Sequence, residues 1–358
     1  MSPAGTELAQ HPLRTSCHGV SGQAAATPHH QAAGRQLAVA KGGRFSCDLE
    51  WGVMNRRVLL CAGLLLAAAY AVAEPPPLLW AEGGEGRLWL YGSIHLPMPE
   101  SQALPPEVRE AIEAADVVLT EIPLDPVAQM RAYRASLLPE GRSLTDNLPG
   151  ELLARLETEL AARGLRLGAF SRLRPWALAG QLAMLDESLT AGALPVDMRI
   201  WSLAGRLGKQ TAGLETVDEQ IAAMEALGPE GQNWLLNQAL DELRRAREGG
   251  YRAAEPLVRA WRSGKLEALA RLLEEQAPTG DPVGRIFREE VLDKRNHRMV
   301  KRILDRLRTE PDRRLFVAVG ALHLAGREGL VALLDQQGRH LEQVPAPSSP
   351  TLSEETTR

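Results

Sequence analysis

Along most of the chain, apolar positions recur at helical spacing, and a few short runs break that rhythm. Arg87–Ser93 (RLWLYGS), Asp116–Ile122 (DVVLTEI) and Arg314–Val319 (RLFVAV) are nearly unbroken apolar stretches rich in β-formers, the pattern of strands buried on both faces. Lys209–Glu215 (KQTAGLE) and His340–Val344 are shorter strand candidates. Between them the period is helical. Pro105–Ala115 places Val108, Ile112 and Ala115 on one face, with proline at its start. Pro126 to Leu207 reads as helices broken at Gly141, Gly168 and Gly192, and Val217 to about Arg308 as helices broken near Gly228, Gly249 and Gly280. Gly329–Gln337 is a last helix. Strands near both ends with a long helical block between them predict an α/β or α+β fold. It is a single domain whose central mixed sheet is built from N- and C-terminal segments.

The N-terminal part follows another pattern. Residues 1–53 mix Gly, Ala, His, Gln and Ser without an apolar period, as in a disordered segment or a gene-model extension. Met54-Asn55-Arg56-Arg57 then precedes an apolar run from Val58 that ends at Ala71-Val72-Ala73. A basic start, an apolar centre too short for a span and a small-x-small end predict a signal peptide over 54–73, with the mature chain starting at Glu74. The expected location is periplasmic or secreted, with no stable membrane span after cleavage. The alternative is anchoring by an uncleaved N-terminal segment. The folded domain is expected over 74–344, and the Pro/Ser/Thr-rich residues 345–358 as a disordered tail.

Composition narrows the chemistry. A net charge of −4 argues against a nucleic-acid binder that relies on a diffuse basic field. Cys17, Cys47 and Cys61 all precede the expected cleavage site. The exported part therefore has no disulfide framework, thiolate metal site, iron–sulfur cluster or cysteine nucleophile. After residue 73 there is no G-x-S-x-G elbow and no HExxH.

One internal repeat remains. Arg87-Leu88-Trp89-Leu90-Tyr91-Gly92-Ser93-Ile94-His95-Leu96 and Arg314-Leu315-Phe316-Val317-Ala318-Val319-Gly320-Ala321-Leu322-His323-Leu324 are each an apolar strand running into G-x-x-H-L. Only His95, His297, His323 and His340 occur after residue 73, so the repeat takes two of four. A glycine there permits a sharp turn with positive φ. A histidine three residues on would stand at the strand's C-terminal edge, where open sheets bind ligands. If the two strands are parallel neighbours, His95 and His323 converge as candidate ligands for a divalent ion (Mn, Co or Zn). Glu121, at the end of an apolar strand, is a candidate third ligand, because a buried carboxylate needs a cation or donors. Glu215 stands just before a helix and is a candidate general base. His297 and His340 read as surface residues, and Asp197 as a helix N-terminal charge or cap.

These residues resemble the TraB/PrgY/GumN family, whose bacterial branch is similar to the Tiki metalloproteases and, more distantly, to erythromycin-esterase-like and haem-binding lipoprotein folds. The resemblance runs over about Leu78–Val344 and rests on GSIH at Gly92–His95 and VVLTEI around Glu121. It extends to PVDMRIWSLAGRLGKQTAGLET at Pro195–Thr216, KRNHRM at Lys294–Met299 and VGALHLAG at Val319–Gly326. It implies paired histidines, acidic residues and an Arg295–Asn296 pair gathered around one cleft, and in the Tiki branch a Mn- or Co-dependent peptidase. Arg295 or Asn296 would then stabilise an oxyanion. The expected partner is a peptide or small-molecule substrate. The alternative is a non-catalytic protein on the same fold that captures a metal, haem or a peptide.

Overall fold

The computed structural model describes residues 78–83, 86–97, 104–188 and 193–345. The expected extension over 1–53, the signal peptide over 54–73 and, apart from Pro345, the tail over 345–358 lie outside the described residues. Six strands form one sheet: β1 (Leu79–Glu82), β2 (Leu88–Ser93), β3 (Val117–Thr120), β4 (Gln210–Gly213), β5 (Leu315–Gly320) and β6 (Leu341–Gln343). Their order is β4-β3-β5-β2-β1-β6. The β4-β3, β3-β5 and β5-β2 pairs are parallel, while β1 is antiparallel to both β2 and β6. The sheet is therefore mixed and joins segments from both ends of the chain, as the hydrophobic pattern predicts.

The inner strands β3 and β5 are the most continuously apolar because helices cover both their faces. Every residue of VVLT in β3 is buried, as are Leu315–Val319 of β5. The helix Pro106–Ala114 turns Val108, Ala111 and Ile112 inward, and Val196–Arg206 turns Val196, Ile200, Leu203 and Ala204 inward. The helix Lys294–Thr309 adds Met299, Val300, Ile303 and Leu307 to the same core. A second apolar cluster lies within the helical block. Leu152, Leu156 and Leu160 pack with Leu178, Leu182, Leu236, Leu240 and Leu243, from Gly150–Ala161, Pro175–Ala183 and Gly228–Gly249.

Two elements depart from the sequence expectation. β1 is a short run of four residues, LWAE, and is a strand because it pairs on both sides, not because of an apolar period of its own. The helix leading to Lys294 passes through a π-helical stretch, Arg288–Asp293. Such a widened turn shifts the helical register and tends to sit beside functional residues.

Candidate active site

Parallel pairing of β4, β3, β5 and β2 sends their C-terminal ends to one edge of the sheet. Glu215 follows β4, Glu121 follows β3, His323 follows β5 and His95 follows β2. Ser93 is in register with Gly320, and its hydroxyl donates to the Val319 carbonyl at 3.1 Å, tying the two repeats together. The Trp261 indole N–H donates to the Gly92 carbonyl at 2.7 Å and fixes the end of β2.

The glycines serve a different purpose from the expected one. Neither Gly92 nor Gly320 has a positive φ. A Cβ on Gly92 would lie 2.7 Å from Leu324 Cδ1 and 3.3 Å from the Ala321 Cα. One on Gly320 would lie 3.0 Å from Glu121 Oε1. Close approach, of the second repeat to Gly92 and of Glu121 to Gly320, rather than turn geometry, is what requires glycine.

His323 sits in the 3-10 turn Ala321–Leu324 and is buried, at 5% exposure. Its Nδ1–H donates to Asn296 Oδ1 at 2.6 Å, and the Asn296 amide nitrogen donates to the Glu328 carbonyl at 2.6 Å. The second bond orients the amide, so the imidazole carries its proton on Nδ1 and presents the Nε2 lone pair. That nitrogen faces Arg295 Nη1 at 3.3 Å and Glu121 Oε2 at 3.7 Å. Burial, with Arg295 reinforcing it, pulls the His323 pKa down to about 4 against the opposing pull of Glu121.

His95 is the more open of the pair, its side chain 54% exposed. Its Nδ1–H donates to Asp197 Oδ2 at 2.8 Å, and its Nε2 lies 4.0 Å from Glu121 Oε1. Desolvation by the surrounding protein lowers its pKa, but Asp197 and then Glu121 outweigh that and push it up to about 9. Two histidines in the same sequence context thus have their pKa values shifted in opposite directions.

Glu121 stands between them. Gly320 N–H donates to its Oε1 at 2.6 Å, while Gln220 Nε2 at 3.1 Å and Arg295 Nη2 at 2.6 Å both donate to Oε2. Burial opposes its charge, yet the imidazoles, Arg295 and the Gly320 amide hold the carboxyl well below the usual carboxylate range.

The remaining expected residues adopt supporting positions. Glu215 is fully buried, with Arg295 Nε on Oε2 at 2.8 Å and Arg298 on Oε1 at 2.9 and 2.5 Å. With both oxygens committed to arginines, it is placed to anchor guanidinium groups rather than to accept a proton from water. Arg295 is itself buried across Glu215, Glu121 and His323. Asn296 accepts from His323 and donates one amide N–H to the Glu328 carbonyl, whereas the Arg295 guanidinium is taken up by Glu215, Glu121, His323 and the Val291 carbonyl. His297 and His340 are exposed and paired with Glu328 and Asp335, as surface residues would be.

Asp197, Arg298 and Gln220 escape the sequence reading. Asp197 is the second residue of its helix and caps nothing; it is buried against His95. Arg298 belongs to a charge run that resembles a solvated face, but Arg295, Arg298 and Arg302 recur at helical spacing and meet Glu121, Glu215 and Glu219. That spacing was the available signal.

Among the described residues, no group of three or more His, Cys, Asp or Glu side chains forms a ready metal cage. The donor chemistry around Glu121 nevertheless suits a divalent ion. Two metal–ligand bonds of about 2.1 Å can span donors up to about 4.2 Å apart, and the imidazole–carboxylate separations are 3.7 and 4.0 Å. Each imidazole also has its Nδ1 engaged by a polar partner, the arrangement that aims Nε2 at a metal.

Among known proteins, the chain is similar to curated metalloproteases. Metalloprotease TIKI1 of Danio rerio is 28% identical over 311 aligned residues, covering 75% of this chain and 63% of that protein. Metalloprotease TIKI2 of Xenopus tropicalis is 26% identical, covering 75% and 60%, and metalloprotease TIKI1 of Homo sapiens is 26% identical, covering 76% and 63%. The chain thus spans about three fifths of the length of these curated relatives. No solved structure matches it. The TraB/PrgY/gumN family model matches residues 78–343, from β1 through β6, and the chain belongs to that family.

Proposed function

We propose that the chain is an exported, metal-dependent hydrolase of the peptidase type. The observation that carries this reading is the placement of Glu121 between two imidazoles, His95 Nε2 at 4.0 Å and His323 Nε2 at 3.7 Å, each aimed by a hydrogen bond on its other nitrogen. The similarity to metalloproteases supports it. His95, His323 and Glu121 would hold the ion, of which Mn, Co and Zn are the candidates. When bound, a divalent ion supplies Lewis-acid polarisation of a substrate carbonyl and of water. Asp197 and Asn296 orient the imidazoles, while Arg295 and Arg298, anchored on Glu215, keep the buried carboxylates neutralised. His95 is the half-exposed member, and a peptide carbonyl arriving from solvent meets it first.

One observation favours the non-catalytic alternative. Glu215 is sealed by arginines, so the expected general base is not free to take a proton from water. A metal-, haem- or peptide-capturing protein needs no such base. Peptide turnover assayed with Mn²⁺, Co²⁺ and Zn²⁺ separates the two: metal-dependent cleavage that is lost on His323→Ala supports the hydrolase. Stoichiometric ion binding with no cleavage of any peptide supports capture.

Export rests on the basic start at Met54-Asn55-Arg56-Arg57 and the Ala71-Val72-Ala73 end. Among the described residues no helix is long and apolar enough to cross a membrane. Expression from Met54 in a Gram-negative host should give a periplasmic form beginning at Glu74. An intact Met54 on a membrane-bound product would support the anchored alternative instead.

A further inference from the structure

We infer that Arg295 is a built-in competitor for the metal donors, a guanidinium that a divalent ion must displace from Glu121 and His323 before it can bind. The inference rests on the proposed metal site and concerns how that site is regulated. Arg295 Nη2 donates to Glu121 Oε2 at 2.6 Å and Nη1 donates to His323 Nε2 at 3.3 Å. Those are the two acceptor atoms on this side of the proposed donor set. A lone pair that accepts an N–H cannot serve a cation at the same time, and two positive centres on one buried carboxylate repel each other.

The guanidinium also has a place to go. Its Nε donates to Glu215 Oε2 at 2.8 Å and its Nη2 already lies 2.8 Å from the same oxygen, an acceptor it keeps on leaving Glu121, while Arg298 holds the other oxygen of that carboxylate. Nη1 has a further acceptor in the Val291 carbonyl at 3.3 Å, inside the π-helical stretch Arg288–Asp293. Gln220 Nε2, at 3.1 Å, remains on Glu121 Oε2 as a neutral donor. The terminal nitrogens can therefore withdraw while Nε stays bound and Glu215 keeps its partners. The arginine keeps the acidic centre compensated until an ion arrives, and this lowers ion affinity.

The test compares Mn²⁺ binding to the wild-type chain, Arg295→Gln and Arg298→Gln by calorimetry and by the EPR signal of free Mn²⁺. Arg295→Gln removes a positive charge from beside the donors and should bind at least about tenfold more tightly than wild type, and Arg298→Gln, which touches only Glu215, should show no such gain. Equal or weaker binding by Arg295→Gln, with wild type binding stoichiometrically, overturns the inference and leaves the metal site standing. If neither protein binds Mn²⁺ or Co²⁺ at millimolar concentration, the metal reading falls, and the competition with it. Because Arg295→Gln removes a buried cation, a second readout uses the wild-type chain. In ¹⁵N spectra of arginine side chains, saturation with diamagnetic Zn²⁺ should shift the Arg295 Nη signals while Nε–H keeps its protection. Unmoved Nη signals at full Zn²⁺ occupancy overturn the inference.

Discussion

Asn296 decides which nitrogen of His323 is free. Its amide nitrogen is committed to the Glu328 carbonyl, so its oxygen must face the imidazole, and His323 Nδ1–H donates to it at 2.6 Å. The lone pair on Nε2 is thus a consequence of the bond between Asn296 and the Glu328 carbonyl.

Removing that bond should therefore show at the metal site. Asn296→Ala leaves a buried N–H unpartnered, a loss of about 1–3 kcal/mol in stability, and should weaken ion binding by about 10–100-fold although no ligand changes. Long-range ¹H–¹⁵N imidazole spectra should show His323 as a single Nδ1–H tautomer in the wild-type chain and a mixture in the variant. A single unchanged tautomer with wild-type affinity would contradict the assignment.

The two motif histidines should give opposite pH slopes. His323 has a folded pKa of about 4 against an ordinary 6.5. The unfolded chain binds the extra proton between those values, so the stability from keeping His323 neutral is present above pH 6.5 and is lost as pH falls through about 4. His95 is raised from 6.5 to about 9. Its contribution is complete below pH 6.5 and is lost as pH rises through about 9, with a smaller amplitude because the ring is half exposed. Urea unfolding across this range should lose its acid-side slope in His323→Gln and its alkaline slope in His95→Gln. Matching curves for both variants would be inconsistent with the site as described.

Glu215→Gln tells an anchor from a base. As an anchor, its loss strands two guanidinium groups around a buried neutral amide and should cost about 3–5 kcal/mol of unfolding free energy. As a general base it would leave stability nearly intact and lower kcat by roughly 10²–10⁴-fold. Chemical denaturation alongside turnover distinguishes them, and the structure expects the first outcome.

Close approach at the repeat should appear as steric coupling. Gly92→Ala places a Cβ 2.7 Å from Leu324 Cδ1, within the turn that carries His323. It should destabilise by about 1–3 kcal/mol, and adding Leu324→Ala should recover part of that loss. Strict additivity in the double-mutant cycle would show that Gly92 is required for another reason.

Much of this arrangement is legible in the sequence because burial leaves a simple trace. β2, β3 and β5 are continuous apolar runs because both faces of each are covered, and the G-x-x-H repeat marks where two of them end. Once these strands are parallel, His95, Glu121 and His323 share an edge by topology alone. β1 left no comparable trace, since four residues with a terminal Glu82 show no period and owe their conformation to β2 and β6. Asp197 was hidden for a similar reason. An aspartate in a helix's first turn is ordinarily an N-terminal charge, and its contact with His95 arises only when that helix packs on the sheet, 102 residues away in sequence. The role of Glu215 depends on Arg295 and Arg298 reaching it from a distant helix, which no local pattern encodes. The glycines were located correctly, but their reason lies in Leu324 and Glu121, neighbours brought close only by folding.

The central claim is that the two repeats build one ion site, and metal stoichiometry tests it most directly. Purified without chelators, dialysed against Mn²⁺, Co²⁺ or Zn²⁺ and assayed by elemental analysis and calorimetry, the wild-type chain should hold one ion. His95→Ala and His323→Ala should each lose most of the affinity, and His340→Ala, exposed and paired with Asp335, should bind as wild type. Wild-type stoichiometry and affinity in both His95→Ala and His323→Ala would contradict the shared site.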